Sequence, residues 1–285
     1  MSTTVTELFR FPVKSMMGES CNSLQIGPRG TVGDRVWAVR DEVRGGIRGG
    51  KKIPSLMTLT AAFSGDVAAE GSSPAVIIAP DGDTRDTGAE DINAWLSDKL
   101  DHQVTLWPLM PADALDHYRR GAPDTEDFEQ ELRTMFAREP DEPLPELDLF
   151  AEVIEFECPP GTYFDAFDIL IISQQALDSL AKHRPESSFD VRRFRPNILV
   201  DMPDADGDFP ENAWSGKQVQ IGDVVLEVVG ECPRCSMTTH AFSDLDKDPG
   251  IMRALVQANG GNLGVYARVV STGHVRVGEG VTVLD

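Results

Sequence analysis

The sequence predicts a mainly β fold with helical additions, an α+β protein. Short runs of alternating apolar and polar residues recur along the chain, and glycine, proline or aspartate bounds most of them, which is typical of strands joined by turns. Apolar residues at helical spacing occur in only a few segments. Many short strands with few helices favour a barrel-like β structure to which the helices are added.

The N-terminal hundred residues are predicted to be mostly strands. The first strand, at 5–11, ends at Pro12, because proline cannot continue a strand ladder. Lys14 and Ser15 therefore lie on a loop. Further strands are predicted at 23–26, 35–40, 55–61 and 75–79.

Two other segments of this region have different patterns. The glycine-rich segment 45–50 lacks the Gly-Lys-Ser/Thr ending of a phosphate-binding loop, so we interpret it as a flexible turn. Segment 91–100 has apolar residues at helical spacing. It is predicted to be a helix that places Trp95 and Leu96 in the core.

The middle of the chain, from about Pro108 to Pro160, is rich in proline and acid. Thirteen Asp or Glu residues lie between positions 124 and 157 against two arginines, which gives −11 of the total formal charge of −21. A helix is predicted at 124–138. This part is predicted to be an insertion or lid, and its acidic residues form either a solvated surface or a docking surface for a cationic partner.

The C-terminal part returns to strands. Residues 167–172 predict a buried strand, and 173–183 predict a helix that Ser173 caps and that ends at His183, where an imidazole is ordinarily structural. Hairpin turns are expected at 222–223 and 273–274. The other predicted strands are 197–200, 218–221, 224–229, 265–270 and 280–284.

Composition limits the class of protein. The 285 residues, 41% of them hydrophobic, are enough for one large or two modest domains, and we place the domain boundaries at 1–107, 108–160 and 161–285. A net charge of −21 disfavours nucleic acid and an anionic membrane as partners. No apolar stretch approaches the roughly 20 residues of a membrane span, and the first residues lack signal-peptide features. We therefore expect a cytoplasmic protein with its four cysteines reduced.

The segment Cys232-Pro-Arg-Cys235 allows four interpretations. A zinc site needs four ligands, and the chain has no second cysteine pair. A thioredoxin-like pair would open a helix, for which Ser-Met-Thr-Thr is a poor start. The two sulfurs could also fill a β core. The fourth interpretation is a single thiolate, activated by Arg234, that binds a soft metal or a sulfur-containing group.

Three arginines, Arg192, Arg193 and Arg195, come just before Asn197 and a buried strand. They could neutralise neighbouring carboxylates. Alternatively, they could bind a phosphate or a polar ring, since a guanidinium makes bidentate bonds to phosphate and an amide both donates and accepts.

Four segments together resemble one family. The segments are Phe11-Pro-Val-Lys-Ser15, Gly33-Asp-Arg-Val-Trp37, Arg193-Phe-Arg-Pro-Asn197 and Cys232-Pro-Arg-Cys235-Ser-Met-Thr-Thr239. In this order they look like the signatures of MOSC-domain proteins, a family named after the C-terminal domain of molybdenum cofactor sulfurase. The match most resembles the branch with an N-terminal β-barrel domain, which includes the mitochondrial amidoxime-reducing component and bacterial relatives. The resemblance implies a MOSC-type β-barrel domain and an N-terminal β-barrel-like domain.

The resemblance also implies a cofactor and a chemistry. The second cysteine of the motif would bind molybdenum, and residues of the other motifs would hold the molybdopterin and its phosphate. The residues concerned are Cys235 for the metal and Lys14, Ser15, Arg35, Arg195 and Asn197 for the pterin. The implied activity is the reduction of small N-hydroxylated or N-oxygenated compounds, with Cys235 at the catalytic centre and electrons from an external reductase, ferredoxin or cytochrome.

Two positions depart from the family pattern. Before Pro54 the chain has Lys51 and Lys52 where relatives usually carry an arginine, and Asp165-Ala-Phe-Asp168 replaces a loop with small hydroxyl residues. A second hypothesis for function is a carrier that holds a persulfide on Cys235 or stores the cofactor without redox turnover.

Overall fold

The computed structural model describes residues 2–145 and 155–284. The strands of these two ranges are β1 (Thr4–Arg10), β2 (Glu19–Cys21), β3 (Ser23–Gly27), β4 (Gly30–Thr31), β5 (Trp37–Asp41), β6 (Ile47–Arg48), β7 (Thr60–Phe63), β8 (Ala75–Ile78), β9 (Thr84–Asp86), β10 (Val104–Pro108), β11 (Ile169–Ser173), β12 (Ile198–Asp201), β13 (Gln218–Ile221), β14 (Val224–Pro233), β15 (Asn262–Ser271), β16 (Gly273–Arg276) and β17 (Val281–Leu284).

The helices are fewer and short. The α-helices of the described ranges are α1 (Ile92–Leu100), α2 (Leu115–Tyr118), α3 (Phe128–Phe136), α4 (Gln174–His183) and α5 (Gly250–Asn259), and 3-10 helices lie at Pro54–Thr58, Val191–Arg193, Pro210–Trp214 and Ser236–Thr239. The prediction of a mainly β fold with helical additions is confirmed. No helix of the described ranges is long and apolar enough to cross a membrane.

An eight-stranded sheet organises the molecule, in the order β17-β13-β14-β15-β11-β12-β1-β2. β1 pairs antiparallel with β12, so Leu8 lies opposite Ile198, whereas β11 and β12 run parallel. Three small sheets, β10-β5-β6, β16-β3-β4 and β7-β8-β9, complete the β structure of the described residues. The first strand of the chain therefore belongs to the same sheet as the strands beyond residue 169, and the proposed domain boundaries stay a prediction.

Hydrophobic residues cover both faces of the large sheet. Side chains alternate between faces along a strand, and Leu8 joins the cluster on one face whereas the adjacent Phe9 joins the cluster on the other. α4 and α5 cover the second face with Leu177 and Leu255. Each such buried side chain stabilises the fold by about 2 kcal/mol. The sheet is thus held rigidly beneath the loops that follow its strands.

Several local predictions are confirmed. Ser173 caps α4, and its hydroxyl accepts the N–H of Ala176. The predicted helix at 91–100 is α1, and the turn at 222–223 joins β13 to β14 with Ile221 opposite Val224. The helix predicted at 124–138 is shorter, because α3 begins after Asp127, whose carboxylate accepts the N–H of Gln130. Part of the predicted acidic segment, residues 146–154, lies outside the described residues.

Three local predictions were wrong or incomplete. The strand predicted at 55–61 is a 3-10 helix at Pro54–Thr58 followed by β7, because Pro54 has a backbone angle suited to a helix start and the helix buries Leu56 and Met57. Gly273 is not in a hairpin turn but in β16, which pairs with the distant β3. The helix α5 was not predicted. Pairings and burial between distant segments do not show in a local pattern.

Candidate functional site

A cleft opens where the loops before β11 and β12 meet the loop after β14, with about 580 Å³ of empty space when the open solvent at its mouth is included. Four of the predicted site residues line it, namely Arg35, Arg195, Asn197 and Cys235. The other two predicted residues are connected to its wall, since Lys14 contacts Asp165 and Ser15 contacts Met237. The structure therefore brings all six predicted side chains to one region.

Cys235 presents a half-buried thiol at this cleft. It lies two residues beyond the end of β14 and is the N-cap residue of the 3-10 helix Ser236–Thr239. Its carbonyl accepts the backbone N–H of Thr238 at 3.2 Å and the Thr238 hydroxyl at 3.0 Å, which fixes the turn. Met237 and Phe242 belong to the apolar cluster against which Cys235 packs. A ligand in the cleft can reach this sulfur.

Cys232 has a structural role. It is 1% exposed and belongs to the hydrophobic cluster beneath the cleft. Its sulfur accepts a hydrogen bond from Arg234 Nη1 at 2.9 Å and another from the Tyr266 hydroxyl, while burial raises the pKa of its thiol. Arg234, expected to activate Cys235, therefore donates to Cys232. Within 2–145 and 155–284, no three His, Cys, Asp or Glu side chains are grouped as they would be at a zinc site.

Asp34 joins the loops of the cleft. Its buried carboxylate accepts the Phe11 N–H at 2.7 Å, the Asn197 amide at 3.0 Å and a hydrogen bond from Arg35. The Asn197 side-chain oxygen accepts the N–H of Leu170 at 3.2 Å. The Asn197 amide thus contacts Asp34 and Leu170 and fixes the loops that carry them relative to each other. The sequence suggested Asp34, beside Arg35, as a group that could contact a ligand. Its part in joining the loops could not be predicted, because its partners are distant in the chain.

Arg195 carries the clearest sign of a ligand site. The residue is 6% exposed, its Nη1 donates to the Met16 carbonyl, and its buried Nη2 has no hydrogen-bond partner within 2–145 and 155–284. Its guanidinium carbon lies 4.2 Å from the centre of the Phe11 ring, and that of Arg35 lies 5.0 Å from it. Burial, and then the charge of Arg35, lower the pKa of Arg195 to about 9. At neutral pH the guanidinium remains charged, and an acceptor from a ligand would satisfy the unpaired N–H.

The backbone at this site is strained. Ser15, Arg35 and Arg195 have φ angles of 68°, 51° and 55°, in the left-handed region. For a residue with a side chain, this conformation costs roughly 1–2 kcal/mol. Such strain is concentrated at functional sites, where the surrounding structure maintains it.

Lys14 and Lys51 share one carboxylate. The buried Lys14 ammonium donates to the Tyr163 carbonyl at 2.9 Å and to Asp165 Oδ1 at 2.6 Å, and Lys51 Nζ lies 3.7 Å from the same oxygen. Burial acts to lower the pKa of Lys51, but Asp165 and then Cys235 raise it above its ordinary value. Ser15 has a different role, since its hydroxyl accepts the Gly50 N–H at 2.8 Å.

Two family profiles match this chain. The profile described as "MOSC N-terminal beta barrel domain" matches residues 2–103, and the one described as "MOSC domain" matches residues 161–282. This chain belongs to the MOSC-domain family. The resemblance carried by the four sequence motifs is thereby confirmed.

Individual relatives of this MOSC-domain protein are distant. Mitochondrial amidoxime reducing component 2 of Bos taurus is 29% identical over 259 residues, which cover 87% of this chain and 68% of that protein. Molybdenum cofactor sulfurase of Danio rerio is 26% identical over 290 residues, which cover 93% of this chain and 32% of that protein. The crystal structure of YuaD from Bacillus subtilis aligns over 99% of this chain and 96% of that chain with 12% identity and a TM-score of 0.44.

The three arginines that precede β12 have different partners. Arg192 pairs with Asp190 at 2.7 Å and Asp244 at 2.9 Å on the surface, so for this residue the interpretation as a neutraliser of carboxylates is right. Arg193 donates to backbone carbonyls that follow the Cys235 turn, including His240 at 3.1 Å. Of these three arginines, Arg195 alone has a buried N–H without a partner.

An acidic strap, residues 124–142, connects the two parts of the molecule beside the site. In the N-terminal part, Lys52 pairs with Asp124 at 2.5 Å and also with Glu131. In the MOSC domain, Arg253 pairs with Glu142 at 2.7 Å and Glu139 at 3.2 Å. Many carboxylates of the strap are therefore paired with basic residues of the same chain.

Arg138 inserts from the strap into the MOSC domain. It donates to Met252 Sδ at 2.8 Å and to the Gly260 carbonyl at 3.3 Å. A Cβ on Gly261 would lie 1.9 Å from its Nη2, and the φ of 89° at Gly261 also favours glycine. The Gly261 carbonyl accepts the N–H of Arg234 at 2.9 Å. Arg138 thus supports the turn that carries both cysteines.

Proposed function

We propose that the cleft binds the molybdenum cofactor through the Cys235 thiolate and that the protein reduces N-hydroxylated or N-oxygenated compounds. The observation that carries this proposal is the presence, in one cleft, of a reachable thiol and the unpaired buried Nη2 of Arg195. Family membership supports a function associated with this cofactor, since the relatives include an amidoxime reducing component and a molybdenum cofactor sulfurase.

The residues present fit such a group. A thiolate is a soft ligand of the type that molybdenum accepts. The guanidinium groups of Arg35 and Arg195 offer donors for a phosphate or for the polar edge of a pterin. Phe164 and Tyr266 line the same cleft and would limit the access of water. When bound, the cofactor would supply a metal that changes oxidation state and accepts an oxygen atom from the substrate.

The remaining predicted residues act through the protein's own loops. Ser15 holds Gly50, Lys14 holds Asp165, and Asn197 connects Asp34 to β11. These contacts fix the positions of Arg35 and Arg195. We propose that these three residues orient the binding groups.

We also propose an external protein as electron donor, of the reductase, ferredoxin or cytochrome type. Four cysteines, one of them assigned to molybdenum, are too few for an iron–sulfur cluster held by four thiolates. The acidic segment between 124 and 157 is the proposed docking surface. Glu126 and Asp141 form no ion pair with another described residue. Neutralising both should lower turnover with a protein donor and leave turnover with a chemical reductant unchanged. Turnover that is unchanged with both donors contradicts the proposal.

The metal content of two cysteine variants tests the ligand assignment. In a host that makes the cofactor, Cys235→Ala should abolish molybdenum incorporation and leave the thermal unfolding midpoint nearly unchanged, because the thiol is half-buried and at the edge of the core. Cys232→Ala is the matched control. It should keep its molybdenum but lose about 1–2 kcal/mol of stability, because Arg234 and Tyr266 lose a buried partner. A full complement of molybdenum in Cys235→Ala would refute the assignment.

A persulfide carrier is the second candidate. It is favoured by the accessibility of the Cys235 sulfur and by the similarity to a molybdenum cofactor sulfurase. Purified protein with cyanide-releasable sulfur and no molybdenum would support the carrier. Stoichiometric molybdenum with reductase activity would support the enzyme.

A further inference from the structure

Asp165 introduces a carboxylate among the cations of the cleft. Its side chain is 41% exposed and lines the cleft, unlike the buried Asp34. One of its oxygens lies 2.6 Å from Lys14 Nζ and 3.7 Å from Lys51 Nζ. It also lies close enough to Arg35 for that charge to act on it. Asp165 is therefore the carboxylate that an anionic ligand would meet on entering the cleft.

The Lys14 ammonium is already paired within the protein. Lys14 is 2% exposed, and two of its three donors are directed to the Tyr163 carbonyl and to Asp165. Asp165 therefore competes with a ligand anion for this ammonium. The Nη2 of Arg195, by contrast, lacks a partner among the described residues. The cations of the cleft thus differ, because Lys14 and Lys51 share the Asp165 carboxylate and Arg35 pairs with Asp34, whereas Arg195 keeps a donor for a ligand.

We propose that Asp165 is a specificity-determining residue, which withholds Lys14 and Lys51 from the anionic part of the ligand and leaves that anion to Arg195 and Arg35. The proposal rests on the proposed function only in assuming that the cleft takes an anionic ligand. It implies that this chain binds the anionic part of its ligand with fewer cationic side chains than lie around the cleft. It also implies that the affinity for anions is limited by an internal competitor.

Electrostatics keep this competitor charged. Burial acts to raise the pKa of Asp165, but Lys14 and then Lys51 lower it well below its ordinary value. The carboxylate is therefore ionised at neutral pH, and an incoming anion meets its charge. Replacing it with a neutral side chain removes this repulsion and frees two ammonium groups in a partly buried site, where a charge interacts more strongly than in water.

Sulfate binding to the purified full-length chain tests the proposal. Isothermal titration calorimetry with sodium sulfate, at constant ionic strength and neutral pH, would compare the wild type with Asp165→Asn. We expect about tenfold tighter binding by the variant. The matched control is Asp168→Asn, on the same loop, because the charge that acts on Asp168 is that of Arg268 and not that of Lys14 or Lys51. That control should bind sulfate like the wild type.

Two more variants keep the test decisive. Asp165→Ser, also neutral, should give the same gain if Asp165→Asn fails to fold, and Asp165→Glu should retain the wild-type affinity because it keeps the charge. Three results would overturn the proposal. They are unchanged or weaker sulfate binding by both neutral variants, an equal gain in affinity in Asp165→Glu and Asp165→Asn, and no sulfate binding by any of the proteins. Failure of the proposed function has a different signature, a loss of molybdenum incorporation with the sulfate ratios unaffected.

Discussion

At the scale of single residues, Arg195 combines three unfavourable features. Its backbone is left-handed, its charge is buried, and one of its N–H groups is unpaired. A buried charge without a full set of partners is costly, and apolar replacements of such groups are often neutral or stabilising. A residue of this kind persists where function requires it at some cost in stability.

Replacing this charge should stabilise the protein while abolishing anion binding. Arg195→Met keeps a long side chain over Phe11 and removes the buried cation, so the free energy of unfolding should stay equal or rise by about 1 kcal/mol. At constant ionic strength, sulfate should raise the unfolding midpoint of the wild type more than that of the variant. Binding to the folded state adds stability only in the wild type, whereas the general stabilising effect of sulfate acts on both proteins. Urea unfolding with and without sulfate measures both effects.

Arg192→Met serves as the control for this prediction. Arg192 is a surface residue paired with Asp190 and Asp244. Such exposed pairs contribute about 0–1 kcal/mol, and sulfate should stabilise this variant as much as it stabilises the wild type. A large loss of stability in Arg195→Met without sulfate would contradict the view that its charge is unsatisfied.

Sequence distinguished the site residues only in part. Cys232 and Cys235 look equivalent as residues, and it was the family resemblance that assigned the metal to Cys235. The structure gives the physical difference, because Cys232 is the last inward-facing residue of β14 and Cys235 lies beyond the strand end. The roles of Asp34 and Arg234 could not be predicted, since each depends on partners brought together by strand pairing.

At the scale of elements, α3 is held mainly by its flanking residues. None of its residues is fully buried, and Phe128 is 67% exposed. The ion pairs of Lys52 and Arg253 fix the strap at its two ends, and Arg138 inserts between α5 and the Gly260–Gly261 turn. An amphipathic pattern was enough to predict this helix, but not the basic residues that hold it.

Removing the buried guanidinium should loosen this helix. In Arg138→Ala, amide hydrogen exchange in 128–136 should be several-fold faster than in the wild type, because opening the strap no longer breaks the contacts to Met252 and Gly260. The Cys235 thiol should also react faster with a thiol reagent. Mass spectrometry of peptides and a colorimetric thiol assay would measure the two rates.

Arg276→Ala is the comparison for this experiment. Arg276 is 59% exposed and pairs only locally with Glu279. Its loss should leave exchange at 128–136 unchanged. If Arg138→Ala showed the same exchange as this control, Arg138 would not anchor the strap.

At the scale of the whole molecule, repulsion among negative charges competes with local ion pairs. The net charge of −21 disfavours the compact state, whereas individual surface pairs contribute at most about 1 kcal/mol each. Salt screens both effects. Because the repulsion is summed over the entire chain, screening the repulsion should change the stability more than screening the ion pairs does.

Added salt should therefore stabilise the protein. Raising NaCl from about 0.05 M to about 0.5 M at neutral pH should increase the unfolding midpoint by a few degrees, measured by calorimetry. Near pH 4.5, the isoelectric point of the sequence, the same addition should have little effect, because the net charge is then close to zero. A lower midpoint in salt at neutral pH would mean that ion pairs such as those of the strap dominate.

The pairing of β1 with β12 also determines when the site can form. Leu8 and Ile198 face each other across these strands, so the ribosome must synthesise nearly two hundred residues before β1 has its partner. Joining segments so far apart in the chain is slow, because a large loop must close before the contacts form. Lys14 follows β1, and Cys235 lies beyond β12. The binding cleft is therefore assembled at a late step of folding, and an incomplete nascent chain cannot capture the ligand.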